Sequence, residues 1–542
     1  MRLITLLIVL FSGLTFLEMD QPNSKTEPQQ PLYSWNFVCF PTEERPSCHA
    51  STIVELPDGD LLAAWYAGTR EMAQDVAILI ARLKKGVDTW SEPVVVADTP
   101  EKSEGNPVLW LDPRNKLWLF YVTMYGSDWT TCKVKYIQSD DFGHTWGPEH
   151  ILREQPGWMT RNKPLILNNG DILLPLYDER TWESLFMYST DGGQTWQHTE
   201  NLPSSPGNIQ PAPAQLSDGS IIAFMRTGKA GYLWKSSSED NGRTWSKPEL
   251  TNIKNPNSAC DLVRLKNGHL VLVFNDSQEN RNKLAVALSE DEGQTWRYKK
   301  YLENAPFEFS YPAIIQTQDG LIHVTYTYKR THIKHVVFNE SWLRLLFSDD
   351  FEDGKAEGWQ PNIPEHWQVA QEEGSMVYQL IAPGQEGAVR APTSWSVIKD
   401  FDVTNFVFTV RAKCYADTAI KNRDVAIFFH YQDATHFYYV HFSANSDQVH
   451  NIIGLVNGRD RVKINQEPPG QSLPRLVDQK FHHFKVSYDA RTGQIKAYLD
   501  DMTNPILTAQ DTTLTHGLVG VGSFDDTGSF DDIKLWGEIY EP

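Results

Sequence analysis

Four octapeptides of this 542-residue chain repeat one pattern, Ser-x-Asp-x-Gly-x-Thr-Trp, at Ser139–Trp146, Ser189–Trp196, Ser238–Trp245 and Ser289–Trp296. They lie about fifty residues apart, and a degenerate fifth copy ends in Asp88-Thr89-Trp90. Each residue type has a mechanical task. The Asp accepts backbone N–H bonds and caps a turn, the Gly permits positive φ, and the Trp tucks into the core and staples a hairpin. Such an element stabilises a turn and carries no chemistry. Between the octapeptides runs a second repeat of strand, turn and strand, starting at His49, Asn106, Asn162, Gln210, Ser258 and Tyr311. Five of its six turns are Asp-Gly or Asn-Gly, a strong hairpin signal. Six such units, with no long amphipathic helix between them, predict a six-bladed β-propeller.

The rest of the chain organises around that propeller, which is expected over residues 32–343. Arg2 and the apolar run Leu3–Phe11 read as an export signal over residues 1–20, too short for a transmembrane helix, with no clear cleavage site. Residues 21–31 are polar and Pro-containing, and read as a linker. Past residue 343 the octapeptides stop. Short alternating strands take over, among them Phe406–Ala416, Asp424–Gln432 and His482–Ala490. Residues 344–542 therefore read as a β-sandwich, or jelly roll, and the whole chain as all-β. The expected location is secreted or periplasmic, with no membrane span once the signal is removed.

Charge and cysteine content exclude two classes. A formal net charge of −20 argues against nucleic acid as a partner, because phosphate binding needs clustered Lys and Arg. It leaves room for an anionic sugar at a local Arg cluster. The five Cys form no Cys-x-x-Cys spacing, so no zinc site is expected; Cys39 and Cys48 are near enough in sequence to pair.

In a propeller the first strand of each blade opens onto the central axis, so its starting residues line one mouth. The repeat alone thus nominates His49, Asn106, Asn162, Gln210, a position near Ser258–Asp261, and Tyr311.

The octapeptides are Asp-boxes, and with their spacing and strand pattern the chain from Phe37 to Leu343 resembles the sialidase (neuraminidase) superfamily, in its bacterial-type, sialidase-like branch. That family clamps a sugar carboxylate with three Arg, whose forked guanidinium matches it bidentately. It attacks with a Tyr polarised by a Glu, and uses an Asp as acid and base. The resemblance places Tyr311 at the nucleophile, Arg226 and Arg281 at the second and third clamp positions, and Asp75 at the acid/base. There are two departures. Cys48-His49-Ala50 stands where the family has Arg-Ile-Pro, and Gln210 where it has the Glu. A Gln cannot take the phenolic proton, which leaves Glu71 and Glu308 as nearby alternatives. His49 becomes an acid or base in its own right, titrating near neutrality. Arg70, Asn162, Lys163, Asp261 and Arg330 are further polar candidates at the same mouth.

The implied activity is an exported, exo-acting glycoside hydrolase removing a terminal sugar from a glycan, an acidic sugar being among the candidates. A polysaccharide lyase using His49 and Tyr311 on a uronate, and a non-catalytic glycan-binding protein, are the alternatives. The sandwich resembles concanavalin-like, laminin-G-like domains appended to glycan-active enzymes, fitted for carbohydrate binding or propeller support. No cofactor is expected to be required and no metal in the active site. If the sandwich's terminal strands lie side by side, Asp349, Asp350, Asp525 and Asp532 are available to a structural calcium ion, although solvated turn acids explain them more simply.

Overall fold

Antiparallel pairing of the strand-turn-strand units builds six small sheets in the computed structural model, which describes residues 30–229, 231–465 and 476–540. The expected export signal and all of the linker before residue 30 lie outside the described residues. Blades 1 to 5 take residues 47–97, 103–151, 158–198, 208–255 and 261–304 in order. Blade 6 joins residues 309–338 to the N-terminal strand Tyr33–Cys39, which pairs with His332–Phe338 and closes the ring. No helix among the described residues is long and apolar enough to cross a membrane.

The Asp-box works as its residue types dictate. Asp141 accepts the backbone N–H of Thr145 at 2.8 Å and its hydroxyl at 2.6 Å, while the Ser139 hydroxyl accepts the Gly143 N–H. Asp191, Asp240 and Asp291 repeat the arrangement. The Trp residues differ from expectation in one respect: they are half-buried, and reach across to the preceding blade rather than into their own core. Trp245 stacks on Phe186 at 4.0 Å, Trp196 meets Phe120 edge-on, and Trp296 meets Phe224 edge-on. The staple therefore joins neighbouring blades.

The ring closure carries a buried histidine pair. His323 Nδ1 and His335 Nε2 are 2.9 Å apart, and His335 Nδ1 lies 3.2 Å from Asn36 Oδ1 on the closing strand. Burial pushes His323 down to about 4, and burial with the His323 charge pushes His335 well below the usual range. Unfolded histidine titrates near 6.5. Below that pH the unfolded chain takes up protons that the folded pair refuses, so stability falls as pH falls from ~6.5 towards ~4. His323 alone is expected to cost about 3 kcal/mol across that interval. Urea unfolding at pH 7 and pH 4.5 checks this: wild type should lose markedly more stability on acidification than His323→Gln. Equal losses would show that the pair does not govern acid sensitivity.

Past the short helix Glu340–Arg344 the chain forms two further antiparallel sheets, which enclose one core holding Phe408 and Val410 of one sheet with Ile427, Phe429 and Tyr438 of the other. This is a β-sandwich. Its terminal strands lie side by side, Leu345–Asp349 pairing with Gly528–Ile539. Asp349 accepts the Trp359 indole N–H and the Phe351 N–H, Asp350 accepts the Glu352 N–H, and Asp532 lies 3.5 Å from Arg411. Asp525 lies instead with Asp424 and Asp526.

Candidate active site

Local backbone irregularity builds the mouth. The first strands of blades 1, 2, 4 and 6 each break register at one place, between His49 and Thr52, Gly105 and Val108, Ile209 and Ala212, and Ser310 and Ala313. Within these β-bulges Ala50, Asn106, Gln210 and Tyr311 take positive φ of 54°, 43°, 59° and 54°. A bulge re-aims a side chain that regular alternation would have pointed elsewhere. Left-handed backbone at a non-glycine residue costs roughly 1–3 kcal/mol, so the fold spends energy to direct these positions. Asn106, Gln210 and Tyr311 gather around a cavity of about 200 Å³, with Asn106 and Tyr311 in its lining.

Antiparallel pairing brings a second set of residues to the same end, because the first strand begins where the second ends. Ile209 pairs with Arg226, and Trp158 with Asp178. The ends of the second strands, or the turns just after them, thus supply Glu71, Tyr177, Glu179, Arg226 and Arg330 to the cavity wall, joined by Arg281. Met159, Ile209 and two Trp complete the wall. Gly105 makes room for Trp129, whose ring would lie 2.9 Å from an added Cβ. Gly207 passes so close to the Trp182 backbone that no side chain fits there.

Tyr311 is the centre of the polar network. Its Oη accepts from Arg226 Nη1 at 2.9 Å and from Gln210 Nε2 at 3.4 Å. Gln210 Oε1 in turn accepts from Arg226 Nη1 at 3.2 Å, which leaves the amide nitrogen for Tyr311 and Tyr177. Burial opposes ionisation of Tyr311, but Arg226 and Arg281 outweigh it and hold the phenol below its ordinary value. Tyr177 goes the other way: burial, then Glu179, push it well up. Two phenols bridged by one amide are thus driven apart, as acid–base sites require.

The guanidinium groups converge on this network from different blades. Arg226 and Arg281 lie with their Cζ atoms 5.9 Å and 5.5 Å from the Tyr311 ring centroid. Asn257 joins them, accepting from Arg226 Nε through Oδ1 at 2.6 Å and from Arg281 Nη2 through its carbonyl at 2.9 Å. Glu308 pairs with Arg281 at 3.1 Å and with Arg330 at 2.9 Å, and Glu71 with Arg330 at 2.5 Å.

Other nominated residues stand elsewhere. His49 is fully buried behind Tyr311, ring to ring at 4.2 Å, with Nδ1 2.8 Å from the Thr327 hydroxyl. Burial first, then Arg330, Arg281, Arg161 and Arg226, drive its pKa far down, so it does not titrate near neutrality as expected from its type. Asp75 is on an exposed turn outside the cavity lining. Its Oδ2 accepts both the N–H and the hydroxyl of Thr69, which outweigh burial and keep it below the usual range. Arg70 is exposed on the same turn. Asn162 donates to the carbonyls of Gln210, Pro211 and Cys260, and Lys163 pairs with Asp261 at 2.8 Å. These three tie blades 3, 4 and 5 together beneath the mouth. Glu179, Tyr177, Trp129, Trp182 and Asn257 were not read from the sequence. The end of the second strand in each repeat was the available signal for the first two.

Residues 59–324 match a family described as a BNR repeat-like domain. A sialidase of Micromonospora viridifaciens is 26% identical over 366 residues, covering 58% of this chain and 55% of that protein. A sialidase of Bacteroides fragilis is 22% identical over 289 residues, covering 45% and 53%. The chain spans about half the length of these curated relatives. Among solved structures, a leech intramolecular trans-sialidase complexed with 2,7-anhydro-Neu5Ac superposes with a TM-score of 0.50 at 16% identity, covering 57% of this chain and 71% of that one. Repeat, blade count and these matches together make this a sialidase-like BNR-repeat propeller.

Proposed function

We propose that the chain is an exo-acting glycoside hydrolase that removes a terminal, acidic sugar, with Tyr311 as nucleophile. The observation that carries this reading is the hydrogen bonding of Tyr311 Oη, which meets donors, Arg226 and Gln210, on the two contacts it makes. Donors stabilise a phenolate and leave the phenol proton without an acceptor, so the guanidinium field performs the activation that a neighbouring carboxylate would otherwise provide. Gln210 suits this role: it donates to the phenolate and adds no negative charge beside it. Arg226, Arg281 and Arg330 receive the substrate's anionic group, through N–H groups not spent on Glu71, Glu308 and Asn257. A cavity of about 200 Å³ holds a single sugar ring, which favours attack at a chain end. The N-terminal apolar run supports action outside the cytoplasm, secreted or periplasmic, and the sandwich is read as a concanavalin-like carbohydrate-binding or supporting domain.

The test is turnover of sialoside-, uronate- and rhamnose-capped glycans by the full chain, followed by mass spectrometry and ultraviolet absorbance. Release of a saturated terminal sugar is expected. An absorbing unsaturated product would identify a lyase instead. Binding on a glycan array without any product would identify a binding protein.

A further inference from the structure

Among the described residues, Glu71, Glu179 and Glu308 stand at the cavity or against its arginines, and two of them are spoken for. Glu71 is paired with Arg330, and Glu308 with Arg281 and Arg330. Glu179 is different. It directly follows the strand Ile172–Asp178, and its neighbours in sequence satisfy each other: Arg180 donates to Asp178 through Nε at 3.0 Å and Nη2 at 2.6 Å. Glu179 is thereby left unpaired. Its Oε2 is buried and, among the described residues, has no hydrogen-bond partner. It lines the same cavity as Tyr311, on a wall that also carries Trp129, Met159 and Trp182.

We infer that Glu179 is the general acid and base of the hydrolysis, a catalytic residue. The inference rests on the glycoside-hydrolase reading above, and the steps are written with Tyr311 as its nucleophile. In the first step the Tyr311 phenolate bonds to the anomeric carbon. The bond from that carbon to the glycosidic oxygen breaks, and the oxygen takes the Glu179 carboxyl proton. In the second step the Glu179 carboxylate takes a proton from water, the water oxygen bonds to the anomeric carbon, and the Tyr311 phenolate leaves. No other reactant is needed. A proton donor must be protonated beforehand, and Glu179 meets that condition better than Glu308, which, against burial, Arg330 and Arg281 hold low. Burial raises its pKa, Arg226 opposes this, and Asp178, Asp128 and Glu71 raise it further. Asp75 accepts two bonds from Thr69 on an exposed turn, and reaches neither the cavity nor that condition.

The experiment uses Glu179→Gln in the full chain. Its probes are the capped glycans above and the glycosyl fluorides of N-acetylneuraminic acid, glucuronic acid and rhamnose. Fluoride leaves with little proton assistance, whereas a sugar alkoxide needs it. Hydrolysis of the glycan is expected to fall by about 10²–10⁴-fold. The matching fluoride should give a stoichiometric burst and then slow turnover, which azide restores with formation of the glycosyl azide. Glu71→Gln should depress glycan and fluoride together, with no azide rescue. Equal losses on glycan and fluoride in E179Q without rescue, or rescue in E71Q instead, would overturn the assignment. Mass spectrometry of the burst keeps the two readings apart. Sugar on Tyr311 upholds both, while sugar on another residue overturns the Tyr311 reading and leaves Glu179 standing on its azide rescue. A wild type that cleaves neither glycan nor fluoride overturns the hydrolase reading, and this inference with it.

Discussion

Tyr311→Phe is expected to lower kcat/KM on the cleaved glycan by at least about 10³-fold, which is ~4 kcal/mol of transition-state stabilisation. The substitution removes one oxygen and the covalent intermediate with it. The fold should survive it with a modest loss of stability. Tyr311 is buried, but its ring stays, packed on His49 at 4.2 Å. Arg226 also keeps Gln210 and Asn257 as acceptors. The two hydrogen bonds lost with the hydroxyl, from Arg226 and Gln210, cost about 1 kcal/mol each in stability. The two quantities are read separately, as kcat/KM and as the midpoint of thermal unfolding. Activity within tenfold of wild type would show that Tyr311 is not the nucleophile. A collapse of stability would show that the phenol serves the fold.

Arg161→Met is expected to destabilise the chain by about 3 kcal/mol, read by urea unfolding, although Arg161 lies outside the cavity lining. Its side chain is almost fully buried where the first strand of blade 3 is interrupted. Nη1 donates to the Ser51 carbonyl of blade 1 at 3.1 Å, and Nη2 to the Pro312 carbonyl of blade 6 at 2.7 Å. One residue thus ties the first and last blades from within, independently of the closing strand. Two effects compete. Each bond from a charged donor is worth about 1.5–3 kcal/mol, and both would be lost, leaving two buried carbonyls short of a donor. Against that, burying a charge carries a desolvation cost that Met would relieve. Guanidinium is weakly hydrated, so the lost bonds should win. A variant more stable than wild type would reverse that judgement, and would mean that Arg161 is kept for the positive field it lends His49 and Tyr311 from beneath.

The features legible in the sequence are those whose physics is local. An Asp-box closes its hydrogen bonds within a few residues, as Asp141 does with Thr145. An Asp-Gly turn pairs strands that are adjacent in the chain. Blade number and the positions of Asn106, Gln210 and Tyr311 at the strand starts follow from such repeats without any long-range information. The closing of blade 6 is not of this kind: Tyr33–Cys39 pairs with a strand some 300 residues later, and nothing in either segment names the other. The site divides in the same way. Asn162, Lys163 and Asp261 are polar residues at a predicted mouth, yet tertiary contacts make them ties between blades. His49 has the residue type of a neutral-pH acid or base, but burial among four guanidinium groups removes its titration from that range. Glu179 stands in an unremarkable Asp-Glu-Arg turn. Which of its two carboxylates Arg180 will take, and which is left facing a cavity, is decided by where the strand ends in three dimensions. Pairing is an energy between groups that only folding brings together, and the order of residues along the chain does not contain it.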